Sequence, residues 1–330
     1  MATETFVVLG SNSFSGATFV ATALAAGADV VGISRSAEAD AALLPYAWAP
    51  HDRFTFHALD LNHDLDRIEA VIRERAPRCI VNFAAQSMVA QSWEHPDHWY
   101  RTNVVATARL VDRLRTLAGL EKFVQVSTPE VYGSTSGLVK ETAPFNPSTP
   151  YAVSKAACDM NLLCYHRAFD FPVAFTRVAN VCGPGQPLYR IIPRTVFCIL
   201  TGRKLRLEGG GMSVRSFIHM RDVAEGTLEV ARRGRPGDVY HLATDDNRTI
   251  RAVVEEICSQ MGVEFDDCVE TTPPRIAQDA AYLLDCTKAR TEFGWRPRLS
   301  VGDVIRETIE WVKKNLDRLR TIPADYIHKP

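Results

Sequence analysis

The chain has 330 residues, 46% of them hydrophobic, enough to bury a core larger than one small domain needs. Its 38 basic side chains are matched by 39 acidic ones, and the resulting formal charge of −1 argues against a nucleic-acid partner. No run reaches the ~18–20 apolar residues of a membrane helix, and Met-Ala-Thr-Glu-Thr leading into Phe6 has no secretory pattern. The eight cysteines contain no Cys-x-x-Cys pair and no metal-ligand spacing, so no metal, reduced thiols and a cytoplasmic protein are expected.

The predicted elements alternate from the start. A strand over 6–9 runs into the turn Gly10-Ser-Asn12-Ser13-Phe14-Ser15-Gly16 and a helix from about Ser15. Strands follow over 30–33 and 54–59, then a helix over 64–74 and a strand over 79–83. A long helical pattern over 98–117 precedes a strand over 123–126, and the helix carrying Tyr151 and Lys155 precedes a strand over 173–176. Strand, helix, strand in repetition predicts an α/β fold with a doubly wound parallel Rossmann sheet of six or seven strands. After Gly183-Pro-Gly the composition changes, with Pro187, Pro193, Gly202 and Gly209-Gly-Gly211 breaking the alternation. The expected division is a dinucleotide-binding Rossmann domain over 1–183, to which later segments return, and a smaller α/β substrate lobe over 184–330. Within the lobe, 301–316 reads as an amphipathic helix, with Val301, Val304, Ile305, Ile309 and Val312 at helical spacing.

The first turn follows a strand and opens a helix, where backbone amides and the helix dipole hold a pyrophosphate. Its glycines are spaced Gly-x-x-x-x-x-Gly, with Ser13 where a middle glycine is usual. At the end of the second strand, Ser34-Arg35-Ser36 offers a guanidinium and two hydroxyls suited to a 2′-phosphate, so NADP is expected, with NAD as the alternative. Asp60 and Leu61 are placed to meet the adenine edge, and Phe83, Ala84, Ala85 and Ser87 to run under the cofactor.

Two motifs carry the chemistry. Tyr151 and Lys155 lie four apart and share a helix face, and an ammonium beside a phenol lowers its pKa from about 10. Such a phenolate takes a hydroxyl proton while hydride leaves. Upstream, Ser127-Thr128-Pro129-Glu130-Val131-Tyr132-Gly133 adds Glu130, a second base able to remove a carbon-bound proton that a neighbouring carbonyl has acidified. Arg190, Arg194, Arg203, Lys204, Arg206 and Arg215 fall in one stretch suited to an anionic ligand, or to a solvated helix face. His95, His98, His219 and His241 lack ligand or triad spacing, so packing or surface roles are expected.

The Gly-rich turn, Asn82-Phe-Ala-Ala-Gln-Ser87, Thr102-Asn103, the Ser127 to Gly133 motif and Tyr151-x-x-x-Lys155 occur in that order. With them the chain resembles the extended short-chain dehydrogenase/reductases, and within these the nucleotide-sugar 4,6-dehydratases. Arg177-Val-Ala-Asn180, Arg215-Ser-Phe-Ile-His-Met-Arg-Asp222, Arg275-Ile-Ala-Gln-Asp279 and Phe293-Gly-Trp-Arg-Pro297 extend the likeness over nearly the whole chain. The resemblance implies Thr128, Glu130, Tyr151 and Lys155 as catalytic residues, Thr102 as a further cofactor contact, and Ser87, Ser127, Thr128, Asn180, Arg190, Arg215 and Arg275 as substrate contacts. It implies a nucleotide-sugar lyase acting through a 4-keto intermediate, with the cofactor regenerated in each cycle, and a homodimer built on 97–117 and 152–169. A 4-epimerase, decarboxylase or 5,6-dehydratase would share the first oxidation, and an inactive cofactor-binding protein would be expected to lack Tyr151 or Lys155. In dTDP-glucose 4,6-dehydratases an Asp precedes the Glu and protonates the departing hydroxyl; here that position is Pro129, which has no proton to give.

Overall fold

A computed structural model describes residues 4–135, 137–273 and 281–330. Seven parallel strands form its central sheet: β1 (Thr5–Leu9), β2 (Asp29–Ser34), β3 (Phe54–Ala58), β4 (Cys79–Asn82), β5 (Lys122–Ser127), β6 (Val173–Val178) and β7 (Val239–Leu242). Their order is β7-β6-β5-β4-β1-β2-β3. The chain winds outward from β1 to β3 on one side and from β4 to β7 on the other, so the reversal falls between β1 and β4, where α/β sheets open a crevice at their carboxyl ends.

Strand periodicity explains the layers. Successive residues point to opposite faces, so Phe6 and Val8 pack with Phe19, Val20, Val223 and Leu228, while Val7 and Leu9 pack with Ile68, Ile72, Leu110 and Leu162. Both faces are therefore covered, as a parallel sheet requires. The covering helix Met220–Arg233 and the seventh strand both come from beyond residue 183. Six strands are legible as apolar runs; β7 is only Val-Tyr-His-Leu and becomes a strand by pairing with β6, Val239 opposite Phe175.

A separate apolar cluster gathers Ile192, Val196, Phe197, Val253 and Ile257 against the helix Val301–Lys314. Val301, Val304, Ile305, Ile309 and Val312 are all buried there, as their spacing predicts. Ser300 and Asp303 form a reciprocal capping box at its start.

The expected long helix over 98–117 is not uniform. It begins as Pro96–Trp99, widens into a π-helical stretch Tyr100–Ala106, and continues as Thr107–Leu114. The widened turn carries Asn103, whose side chain accepts from Gln86 N at 2.8 Å and donates to Gln86 O at 3.0 Å and Ser154 Oγ at 2.9 Å. Asn103 thus ties the loop after β4 to the Tyr151 helix, a use typical of π-bulges near functional sites.

A second buried network sits below the carboxyl ends of β5 and β6. Ser127 Oγ donates to Asp159 Oδ2 at 2.7 Å, and Arg177 Nη2 pairs with the same oxygen at 3.3 Å. Arg177 Nη1 donates to Tyr132 Oη, whose hydroxyl reaches His241 Nε2 at 2.8 Å. His241 Nδ1 in turn meets the Asp285 carbonyl at 3.1 Å, which fixes the proton on Nδ1 and leaves Nε2 as acceptor.

Two stability outcomes follow from these networks. Asn103→Ala strands both polar groups of buried Gln86 and should lower the unfolding free energy by about 2 kcal/mol in a denaturant titration. Burial, with Arg177 adding, pushes the His241 imidazole down to about 3. The unfolded chain takes up a proton near pH 6.5 that the fold refuses, so this stability is complete above that pH and declines as pH falls from about 6.5 towards 3. The loss should reach about 2 kcal/mol by pH 5, and His241→Gln, which keeps an acceptor but does not titrate, should flatten it.

Candidate active site

At the carboxyl end of β5 the chain turns sharply. Thr128 caps a single turn, Pro129–Tyr132, its Oγ1 accepting from Glu130 N at 3.3 Å. Pro129 occupies the first position of that turn, where a missing N–H costs nothing and φ is already set. Gly133 ends it at φ +65°, and a Cβ there would lie 2.3 Å from the Asn146 carbonyl oxygen, so only glycine fits. Pro129 itself is a buried ring with no proton to give.

Opposite lies the helix Pro150–Phe169, capped by Thr149, which accepts from Ala152 N at 3.1 Å. Tyr151 and Lys155 project from it into the same cleft and are both buried. The phenol of Tyr151 is hydrogen-bonded to Thr128 and lies in electrostatic range of Glu130 and Arg190. The expectation that Lys155 lowers the Tyr151 pKa is not met. Burial pushes the phenol up and the Glu130 carboxylate pushes it further, against opposing pulls from Thr128 and Arg190. Lys155 Nζ instead donates to the Val126 carbonyl at 2.8 Å, reaching across to the strand rather than along its own helix.

The cleft between sheet and lobe has a volume of about 1230 Å³. Asn12, Ser13, Phe14, Ser15, Phe83, Ala85 and Ser87 line one end of it, and Ser127, Thr128, Glu130, Tyr151 and Lys155 its floor. Asn180, Arg190, Arg194, Arg206 and Arg215 line the lobe side. Of the basic stretch, Arg203 instead packs over Phe197 and Lys204 reaches the Asp266 carbonyl.

The end near β1 fits a nicotinamide dinucleotide. Ser13 caps the first helix, its Oγ accepting from Gly16 N at 3.0 Å, and no acid occupies that helix's first turn. Gly10, at φ +77°, lies so close to the loop after β4 that a Cβ would stand 2.6 Å from Ala84 N. Asn12 N donates to Ser34 Oγ at 2.9 Å and Asn12 Nδ2 to the Ser36 carbonyl at 3.0 Å, closing the turn on the end of β2. Asp60 Oδ1 accepts from Asn62 N, and Asn62 Nδ2 reaches Thr102 Oγ1 at 3.1 Å. Asn62 Oδ1 is buried with no partner beside Asp60 and Leu61, an acceptor suited to an adenine amino group. Gly10, Gly16, Ser34, Ser36, Asp60, Leu61, Ala84 and Thr102 frame this end without lining the open cleft. Arg35 points elsewhere: its Nη1 donates to the main-chain oxygens of Lys329 at 3.1 Å and Pro330 at 2.7 Å.

Several contacts are not legible as motifs. Tyr282 donates to Asn180 Oδ1 at 3.1 Å and lies under the Arg215 guanidinium, 4.5 Å from ring centre to cation, drawing two expected substrate residues together. Its only sequence signal is its place just after the Arg275 to Asp279 motif. Arg275 itself lies outside the described residues. Gln86 is another, buried between Asn103 and Lys329. Asp159, one turn beyond Lys155, is a third. Among the described residues no cluster of His, Cys, Asp or Glu is arranged to hold a metal, and no helix is long and apolar enough to cross a membrane.

Comparison with known proteins agrees with this architecture. The family model described as GDP-mannose 4,6 dehydratase matches residues 7–308. The chain is 39% identical over 238 residues to a dTDP-glucose 4,6-dehydratase of Streptomyces antibioticus, covering 72% of this chain and 70% of that one. It is 29% identical over 329 residues to the dTDP-glucose 4,6-dehydratase of Xanthomonas campestris, covering 94% and 93%. The crystal structure of DesIV, a dTDP-glucose 4,6-dehydratase from Streptomyces venezuelae with NAD bound, superposes with a TM-score of 0.88 at 32% identity, covering 95% of this chain and 98% of that one. With the Gly-rich turn, the Thr128 to Gly133 turn and the Tyr151–Lys155 helix face meeting in one cleft, the chain belongs to the GDP-mannose 4,6 dehydratase family of nucleotide-sugar 4,6-dehydratases.

Proposed function

We propose that the cleft converts a nucleoside-diphosphate hexose into its 4-keto-6-deoxy form, with Tyr151 and Glu130 as the two proton-handling groups. One observation carries the reading: Glu130 lines the same cleft as Thr128, Tyr151 and Lys155, on the turn that Thr128 caps. Oxidation of an alcohol needs the tyrosine alone. A carboxylate beside it serves proton removal from the adjoining carbon.

A bound nicotinamide dinucleotide supplies the hydride acceptor for carbon 4 and the hydride donor for carbon 6. Tyr151 enters the step as the phenolate, which the Lys155 ammonium, held on the Val126 carbonyl, and a cationic bound cofactor would favour against the burial that pushes the phenol up; its Oη then takes the proton of the 4-hydroxyl while Thr128 Oγ1 steadies that oxygen. Glu130 then removes the acidified proton from carbon 5 and passes it to the hydroxyl leaving carbon 6, so proton and hydroxide depart as water. The proton taken by Tyr151 replaces the one carbon 5 regains, by way of water, when hydride reaches carbon 6. This scheme gives Glu130 the duty that Pro129 cannot perform. Arg190 and Arg215, with Asn180 and Ser87, hold the diphosphate and sugar; Arg215 is pre-set by its stack on Tyr282.

The cofactor in this reading is NAD. Arg35, the residue that from sequence favours NADP, is turned onto two main-chain oxygens, and DesIV binds NAD. The placement of Arg190 and Arg215 beyond the first six strands supports assigning 184–330 as the substrate lobe, with β7 and the helix Met220–Arg233 returning to the Rossmann domain 1–183. A homodimer is supported by exposed Tyr100 and Val105 on one helical segment and Val153, Met160 and Phe169 on the Tyr151 helix. The eight unpaired cysteines, most of them buried, support a cytoplasmic setting.

Incubation with GDP-, UDP-, dTDP- and CDP-hexoses should yield, for at least one, a product lighter by one water with no net change in the cofactor. Return of every sugar unaltered or merely epimerised would exclude the dehydratase reading. Glu130→Gln should still show transient cofactor reduction but lower water loss by 10²-fold or more, on the order of what a general base contributes. In light scattering, Val105→Arg combined with Met160→Arg should halve the mass in solution if the two helical segments form the dimer contact.

A further inference from the structure

Residues 326–330, Tyr-Ile-His-Lys-Pro, are packed against Tyr189, the helix after β4 and Arg35 rather than trailing into solvent. Asp325 pairs with Arg194 of the lobe at 2.8 Å, and Tyr326 meets Tyr189 edge-on with ring centres 5.3 Å apart. His328 lies parallel to Trp99, 5.2 Å between ring centres and 11° between planes, and its Nε2 hydrogen-bonds His98 Nδ1 at 2.8 Å. The Lys329 carbonyl then accepts from the buried Gln86 Nε2 at 2.6 Å as well as from Arg35. Five residues thus span from the lobe, over the helix after β4, to the ends of β4 and β2.

The ends of β4 and β2 flank β1, and a dinucleotide held on the Gly10 turn would extend its adenosine half towards the end of β2, where Arg35 lies. Holding this segment in one conformation costs backbone entropy, which a solvated coil has no reason to incur. Ring stacking on Trp99 and guanidinium bonds to two main-chain oxygens offset that cost, and each contact is to a side chain that can be released and remade.

We propose that segment 326–330 is a clasp on the cofactor, closing over its adenosine half and, by occupying the Arg35 guanidinium, selecting NAD against NADP. The proposal rests on the reading that the Gly10 to Gly16 turn binds a nicotinamide dinucleotide. A cofactor reduced in the first half of a cycle and reoxidised in the second must not leave between them. A strap joining lobe to sheet retains it through both steps. Two main-chain oxygens on Arg35 also withdraw the cation that a 2′-phosphate would pair with, and they present acceptors that repel it.

Acid should open the clasp. His328 is faced by His95, His98 and Trp99 from the helix after β4 and by Tyr326 within its own segment, with Arg35 and Glu94 in electrostatic range and Asp97 3.8 Å from His98 Nε2. Burial, then His98, His95 and Arg35, hold its pKa below the usual histidine value. The docked segment therefore binds fewer protons than the free one, and docking weakens as pH falls below about 6.5.

The test compares the full chain with one lacking 326–330, each loaded with NADH, by following the loss of bound NADH fluorescence during a chase with excess NAD. Deletion should speed release by tenfold or more, on the order of one charge-assisted hydrogen bond, and bring NADP affinity towards that of NAD. Arg35→Ala added to the deletion should abolish the gain in NADP affinity. In the full chain release should quicken between pH 7 and 5.5, and His328→Ala should remove that dependence. Matching thermal midpoints establish that the variants are folded. Unchanged release and unchanged NAD preference on deletion would overturn the clasp, and slower release would make the segment a plug instead. Failure of the full chain to bind any dinucleotide would sink the functional reading itself, a result distinct from both.

Discussion

The site depends on one buried ion pair. Asp159 and Arg177, both almost fully enclosed, meet at 3.3 Å, and the same carboxylate oxygen accepts from Ser127 at 2.7 Å. Three elements are joined there: the Tyr151 helix, the carboxyl end of β5 and β6. Two charges taken out of water gain little net stability from each other, but removing one leaves the other stranded at about 3–5 kcal/mol. The pair therefore contributes definition more than stability. It fixes how far the Tyr151 helix stands from the turn that starts at Thr128, and hence where the phenol and Glu130 face each other.

Around that pair the other polar contacts fall into order. Arg177 is sandwiched between the rings of Tyr132 and Phe145, 4.7 and 4.8 Å from their centres, and its charge is one reason His241 stays neutral. A neutral His241 can accept from Tyr132, and Tyr132 closes the turn that holds Glu130. Asp159, for its part, is pushed up by burial and pulled back by Arg177 and Lys155. Two turns of helix thus carry a phenol, a cation and a buried acid, Tyr151, Lys155 and Asp159, spaced so that each faces the end of β5.

What the sequence discloses about this arrangement follows its range along the chain. The Gly10 turn and the Tyr151–Lys155 face are each set within a few residues, and each stands where its pattern predicts. The outcome of Lys155 differs because its partner is the Val126 carbonyl, 29 positions away, and helical spacing says nothing of strands across the cleft. Tyr282 meets Asn180 from 102 positions away, and Arg35 meets Pro330 from 295. His98, expected in a packing or surface role, packs on His328, a partner that no local pattern names. Local chemistry announces which groups a site contains; the sheet's crossover order decides which of them meet.

Pro129 shows how a motif can lose a catalytic group and keep its geometry. At the first position of a turn, proline supplies the φ that an aspartate would have to be held in, and Thr128 still caps the turn through Glu130 N. In the proposed scheme the proton-donor duty therefore passes to Glu130. While Glu130 is charged it opposes a phenolate on Tyr151, and a Tyr151 that has accepted a proton no longer opposes anything at Glu130. In the proposed scheme the two groups act in turn: the alcohol proton goes to the tyrosine, and Glu130 then takes the proton from carbon 5. A separate aspartic acid would relieve Glu130 of carrying that proton onward to the leaving hydroxyl. Without one, the turn has to hold Glu130 within reach of both carbons 5 and 6, which makes the left-handed Gly133 and the rigid ring of Pro129 part of the catalytic requirement rather than a gap in it.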